Sequence, residues 1–554
     1  MKVNERLNMK NGELVRRSSL AILCSAFFIF NSLIVSAANV TWTGGGDTSA
    51  WSDGGNWEGG IAPGAGDIAL IPENTNAVAT TTADITFMNA LSSISVSSGA
   101  TLCISNLGAA ATMSVPLTGS GRFYVCEQPN TTTQFYLTLS SDNSAFSGIY
   151  AVTNAGLKAN SAKCFGGQGG GAISVYLKGS QRFILAVATT YYNNLRIGAN
   201  NAGTALFIGN ERGTVWEGDI AITGPMAIHG NAKEFRITGR LTRESNSTFY
   251  CINGVVISGT VNLNASYSGS NVYIEGSNTL GGGDGNIVSL GRCYAKGTFT
   301  FAATNVFATS YGYWLILGNN NNCTLNLNGF DQRLRQLAQK GSYTRLTSAK
   351  PATLKMLYNI RNDSSSTIYQ WNGGGVDSIG GRVSLDLESD AATISQGQAI
   401  LRNMNCTTSG GLSCGRGTMT LYDNTATFSN LTFLTAYNTG SLVVNTAHVN
   451  PENGVGSLAV TNTAKMSFAA DMVQKAYDAY LSSGAQLTIG AGSTVKVSHR
   501  TYLDGVALRP GVYGKVGGTY EDGTPIPPAF QLSCLKGDGW LDTNGPLGFM
   551  LIVE

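Results

Sequence analysis

From about Asn39 to its end, the chain is punctuated at short, regular intervals. Runs of alternating apolar and polar residues are broken by Gly, Asn, Ser or Thr, as in Ala172–Lys178, Val255–Asn264 and Cys323–Gly329. Alternation with period two, bounded by turn residues, marks half-buried strands. Hundreds of residues of it, with almost no helical period, restrict the chain to a stacked all-β architecture. The composition agrees: 70 Gly, 12 Pro and only 12% charged residues in 554, with 43% hydrophobic. Average globular chains hold about 7% Gly and about 25% charge. The chain is therefore turn-rich and weakly charged, yet apolar enough to bury a large core. One compact domain of this length would be unusual. A solenoid escapes that limit because each coil packs only on its neighbours.

The N-terminus has the order of an export signal. Lys2, Arg6, Lys10, Arg16 and Arg17 precede an apolar stretch from Leu20 to Val35, and Val35-Ser-Ala37 offers small residues for cleavage. A membrane anchor is the competing reading. The apolar run is roughly 16 residues, short of the ~20 a spanning helix needs, and it contains Asn31. Met9 is a second candidate start. Leu23 before Cys24 is too bulky for a lipoprotein signal. Residues 1–37 hold five basic and two acidic residues of the chain's 35 and 33, so the remainder carries 30 against 31. No basic patch stands out, which removes the electrostatic footprint of a nucleic-acid binder. No later segment is long and apolar enough to span a membrane as a helix, so the expected location is secreted or at the cell surface.

Nine cysteines follow the signal: Cys103, Cys126, Cys164, Cys251, Cys293, Cys323, Cys406, Cys414 and Cys534. They are scattered without a C-x-x-C pair, which argues against zinc. Most are expected to be small buried hydrophobes. Export permits one or two disulfides, and Cys406 with Cys414, flanking Gly410-Gly411, is the pair best placed for one.

Four stretches carry a resemblance. The first is Val40-Thr-Trp-Thr-Gly-Gly-Gly-Asp47 with Trp51, Gly55-Asn-Trp57, Ala62-Pro-Gly64 and Gly66–Pro72. The second is Ser144–Leu157. The third is Leu325–Leu337 with Leu346–Leu354, and the fourth is Tyr502-Leu-Asp-Gly-Val506 with Gly511-Val-Tyr-Gly514. In this order they resemble secreted proteins built from autotransporter-associated β-strand repeats. The resemblance implies a right-handed parallel β-helix, exported, with a structural or adhesive role. It departs from full autotransporters because nothing after Val512 has the length of a translocator barrel, which leaves the route of attachment open.

The expected organisation is a signal over 1–37, a Trp-rich N-terminal cap over 38–72, a β-solenoid over 73–470 and C-terminal rungs with a cap over 471–554. Trp42, Trp51 and Trp57 supply apolar surface for the N-terminal cap, since solenoid ends must be protected from edge pairing. Asp471–Leu481 is the best helix candidate after the signal: Met472, Ala476 and Tyr480 recur at i, i+4.

Few constellations invite chemistry. Asp386, Glu388 and Asp390 alternate with Leu385 and Leu387, so one strand face carries three carboxylates. Such a cluster suits Ca²⁺; the plainer expectation is a solvated face opposite an inward leucine pair, with Arg382 and Arg402 near enough to neutralise it. Gly281–Asn286 looks like a calcium loop but occurs once and reads as an ordinary turn. His229, His448 and His499 lie far apart without a metal or nucleophile signature, and no G-x-S-x-G elbow is present. Tyr191, Tyr192, Tyr311, Tyr313, Trp314, Tyr369 and Trp371 sit in turn-rich stretches, where rings either stack on sugars or pack at coil corners. The sequence thus predicts a non-catalytic solenoid without cofactor or metal. The alternative is a β-helix that binds or cleaves polysaccharide, distinguished by a groove where carboxylates, Arg or Lys and aromatics converge.

Overall fold

The structure, a computed structural model, describes residues 37–127, 136–200 and, apart from short stretches, 206–543. The described residues form a β-solenoid of stacked parallel coils. A ten-stranded parallel sheet runs from Asn76–Ala79 to Ile287–Ser289, and a seven-stranded one from Gln370–Asn372 to Leu535–Lys536. A four-stranded sheet starts at Asn39–Thr41, and a further ladder occupies another face along most of the length. In that ladder, strand Arg292–Phe301 pairs with both Asn271–Glu275 and Asn278–Leu280 of the coil before it, so one strand turns a corner of the coil.

Register explains why alternation was so regular. Leu102, Phe123, Tyr150, Ile173, Leu195 and Ile220 follow one another in direct register on consecutive coils, and all are buried. Each inward position thus stacks on its like, and a shift by one residue would turn the whole apolar set outward. Aromatics join the ladder where space allows: Phe183 stacks on Phe207 at 5.2 Å, and Tyr191 on Trp216 at 5.5 Å. Tyr191 is therefore core, while Tyr192 is exposed.

Corners are built from residues that tolerate left-handed backbone or closest approach. Asn154, Asn253, Asn328, Asn438 and Asn462 all have positive φ, which Asn adopts more readily than most side chains. Asn462 donates from Nδ2 to Oδ1 of Asn438 on the neighbouring coil at 3.2 Å. Gly121, Gly148, Gly171, Gly218, Gly239 and Gly259 form a corner row for a different reason. A Cβ on Gly239 would lie 2.1 Å from the carbonyl oxygen of Gly218, and one on Gly259 would lie 1.9 Å from that of Gly239.

The first coil carries three buried tryptophans. Trp42 stacks on Trp51 at 5.2 Å, and Trp57 meets both edge-on. The short helix Thr82–Met88 begins with a capping box between Thr81 and Asp84. The second carboxylate oxygen of Asp84 accepts the Trp51 backbone N–H at 2.9 Å, which ties the helix to the tryptophan loop. At the other end the parallel stacking gives way to antiparallel pairs. Thr494–Leu503 pairs with Val506–Ala507, and Val512–Tyr513 with Trp540–Asp542.

Two sequence expectations fail here. Asp471–Leu481 is not a helix: Val473–Leu481 is a strand in parallel register between Val455–Val460 and Thr494–Leu503. Gln474, Ala476, Ala479 and Leu481 are buried, and the change of parity between Ala476 and Ala479 coincides with a register shift against the next coil. That bulge breaks the alternation and leaves an i, i+4 coincidence. Cys414 is a free thiol rather than the partner of Cys406. It points into the core, with Sγ 3.5 Å from the Gly417 carbonyl oxygen. Burial pushes the thiols of Cys164, Cys251 and Cys414 up to about 12, as expected of small hydrophobes in a core.

Candidate functional site

One outward column of the long ladder brings an arginine, a lysine and an aspartate onto successive coils. Arg333 pairs with Lys355, Lys355 with Asp386, Asp386 with Ser413 and Ser413 with Thr435, each on the next coil. The column then continues through Ala459 to Tyr480 and Tyr502. These positions alternate with inward residues such as Leu354, Leu385 and Leu412, which are fully buried. The period that builds the core therefore also lines up the outer face.

Asp386 is the centre of this column. It is outward-facing yet only 6% exposed, because a tyrosine covers it. Tyr437 follows the strand Phe433–Ala436, and its hydroxyl donates to Oδ2 of Asp386 at 2.9 Å, two coils away. The ring reaches that far because position 415 is glycine: a Cβ on Gly415 would lie 2.4 Å from the Tyr437 ring. Phe433 lies over Gly411 in the same way, with ring atoms 2.3 Å from where a Cβ would be. Burial, with the Asp386 charge beside it, pushes the Tyr437 phenol well above its ordinary value.

Lys355 neutralises the carboxylates. Its Nζ lies 2.5 Å from Glu388 Oε2 and 3.6 Å from Asp386 Oδ2. Partial burial pulls the ammonium down, but the hydrogen bond to Glu388 and the Asp386 charge outweigh it, so Lys355 sits above its ordinary value. The expectation of a solvated acidic face is thus corrected for Asp386, and the neutralising cation is Lys355. Arg382 is exposed and makes no ion pair among the described residues; the side chain of Arg402 lies outside them. Asp390 also lies outside the described residues. Among the described residues, no three Asp, Glu, His or Cys side chains converge as a metal site.

Beside the column lies a cleft of about 470 Å³, lined by Asn305, Asp331, Arg333, Lys355, Asp386 and Phe433 together with Thr and Ser hydroxyls. Its size is that of small-molecule sites, roughly 300–1,000 Å³. Asp331 accepts the Thr353 backbone N–H at 2.6 Å. Oδ1 of Asn305 and Oδ1 of Asp386 are buried without a hydrogen-bond partner. Farther along the same face, Tyr480 stacks on Tyr502 at 5.2 Å and Tyr477 on His499 at 4.7 Å. His499 Nδ1 is 2.8 Å from Asp478 Oδ1.

Of the aromatics singled out in turn-rich stretches of the sequence, only Tyr191 and Tyr192 have described side chains. Tyr311, Tyr313 and Tyr369 lie outside the described residues, as do Gly282–Asn286 and His448. Trp314 and Trp371 have described backbones, in strands Trp314–Leu317 and Gln370–Asn372, but not described side chains. The residues that sequence reasoning missed are Arg333, Lys355, Phe433 and Tyr437. One signal for the last two was present: Gly411 and Gly415 each precede an aromatic by one coil of 22 residues.

No family model, curated protein or solved structure matches the chain. No helix among the described residues is long and apolar enough to cross a membrane.

Proposed function

We propose that the chain is an exported, non-catalytic β-solenoid with a structural or adhesive role, secreted or held at the cell surface. The observation that carries the non-catalytic part is the pairing of Asp386 and Glu388 with one lysine. A carboxyl that serves as general acid near neutral pH is kept protonated by an apolar pocket or a like charge. Here one ammonium engages both carboxylates, at 3.6 and 2.5 Å, and among the described residues no apolar pocket isolates either. The basic, apolar and small-residue order of residues 1–37, and the phrases that resemble autotransporter-associated repeats, support export. The alternative, a polysaccharide-binding or polysaccharide-cleaving β-helix, is favoured by the cleft, where Arg333, Lys355, Asp386 and Phe433 meet as a sugar site requires.

Incubation of the purified protein with acidic and neutral polysaccharides is expected to leave their chain lengths unchanged. New reducing ends, or unsaturated sugar products released in the presence of calcium, would overturn the non-catalytic assignment. Fractionation of producing cells, with the N-terminus of the product sequenced, tests export; the expected product begins after Ala37.

A further inference from the structure

The cleft has features that a purely structural face does not need. Arg333 stands exposed at its edge and makes no ion pair among the described residues. Lys355, its register neighbour, is already engaged by Glu388 and Asp386. Two acceptors, Oδ1 of Asn305 and Oδ1 of Asp386, are buried in the cleft's walls without a donor. An unsatisfied buried acceptor is costly, so a ligand that supplies hydroxyl donors is favoured there.

The spacing of these groups selects the shape of the ligand. The Asn305 backbone N–H donates to the Asp331 carbonyl of the next coil. Asp331 bonds Thr353 on the coil after that, and Lys355 pairs with Asp386 one coil farther. Asn305 and Asp386 are therefore three coils apart, about 14 Å at ~4.8 Å per coil. No single cation spans that distance with oxygen contacts of about 2.3–2.6 Å. An extended ligand lying along the solenoid axis does. The half-buried Phe433 ring offers an apolar surface at one end, and the unpaired guanidinium matches a carboxylate in bidentate fashion.

We infer that this cleft binds a linear, uronate-containing oligosaccharide along the coil axis, with Arg333 holding a sugar carboxylate and Asn305 and Asp386 accepting sugar hydroxyls. The inference names the ligand of the non-catalytic face proposed above and rests on that reading.

The test is calorimetric titration of the full exported chain with tetragalacturonate, galacturonate monomer and the neutral tetrasaccharide cellotetraose. Tetragalacturonate is expected to bind, with the monomer and cellotetraose each weaker by about tenfold or more. Arg333→Ala should weaken the acidic tetramer by about tenfold or more, as loss of a charge-assisted hydrogen bond implies. Arg382→Ala, another exposed arginine, should leave binding unchanged. Both sites are exposed, and unchanged circular dichroism and melting confirm folding. Absence of tetragalacturonate binding by the folded wild type overturns the inference, as does equal binding of the neutral tetramer or of Arg333→Ala. Product analysis of the same samples separates the two readings. Cleavage of a bound tetramer sinks the non-catalytic assignment and leaves the binding site standing, while intact ligand with no heat of binding does the reverse.

Discussion

Valine at position 239 is expected to break the solenoid open at one corner while leaving its far end intact. The added Cβ would meet the Gly218 carbonyl oxygen at 2.1 Å and the Glu217 carbonyl oxygen at 2.4 Å. Both are backbone atoms of the coil below, so no rotamer change relieves the contact. Overpacking of a well-ordered site costs about 1–3 kcal/mol or more, and a backbone clash belongs at the upper end, about 3 kcal/mol. Solenoid stability is a sum of coil and nearest-neighbour terms, so the damage should be local. Hydrogen exchange is the appropriate readout, because a long repeat array does not unfold in one step. Strands Ile220–Ile222, Leu241–Arg243 and Val261–Asn262 should lose protection while Val473–Leu481 keeps it. Gly108→Ala is the control, since a Cβ there meets nothing within 4 Å. Unchanged protection in Gly239→Val would show that these coils do not approach as closely as described.

Removing Trp51 is expected to unfasten the N-terminal end. Its ring is fully buried against Trp42 and Trp57. It also organises the loop by hydrogen bonds: Nε1 donates to the Val78 carbonyl, its own N–H goes to Asp84, and its carbonyl accepts from Trp57 Nε1 at 2.8 Å. Large-to-small substitution of a buried aromatic costs about 3–5 kcal/mol. Trp51→Ala should therefore melt the first coils early and shift the remaining tryptophan emission to the red. Among the described residues, the strand Asn39–Thr41 has a neighbour on one side only, so its release bares the Ile68–Ile71 edge. Exposed strand edges template aggregation, and the variant should aggregate at temperatures the parent tolerates. Trp51→Phe, which keeps a ring but loses the Nε1 bond, should fall between. A Trp51→Ala protein with the parent's first melting transition would remove the tryptophan cluster from the account of the N-terminal end.

How much of this was legible in the sequence depends on how local the determinant is. The β-solenoid followed from alternation, because most inward residues obey period two within their own strands, as in Thr101–Ser105 and Ile173–Leu177. Asn and Gly at corners followed from local backbone needs. The strand Val473–Leu481 was misread because a bulge near Tyr477 shifts the parity of Ala479 and Leu481. The candidate site was half visible. Asp386 and Glu388 stood out as a carboxylate face, but their environment did not. Lys355 is 31 residues before Asp386 and Tyr437 is 51 after it, and both reach it only through stacking. Coil length decides which residues meet, and here it varies: Lys355 finds Asp386 across 31 residues, while Ser413 finds Thr435 across 22. Sequence alone did not supply that variation. The nine cysteines show the same limit. Cys406 and Cys414 are near in sequence, yet Cys414 faces the core, whereas Cys103 and Cys126 have sulfurs 3.7 Å apart on adjacent coils.

The central claim is that residues tens of positions apart stand in one straight outward column, one coil per step. Spin labels at paired column positions measure this directly. Ser413 and Tyr502 are four coils apart through Thr435, Ala459 and Tyr480. Arg333 and Tyr502 are seven coils apart through Lys355, Asp386 and Ser413 as well. At ~4.8 Å per coil the distances should be about 19 Å and about 34 Å. A rise of about 14 Å between the two pairs is the predicted result. Equal distances, or a longer one for Ser413 with Tyr502, would contradict the column and the stacking on which both the fold and the cleft depend.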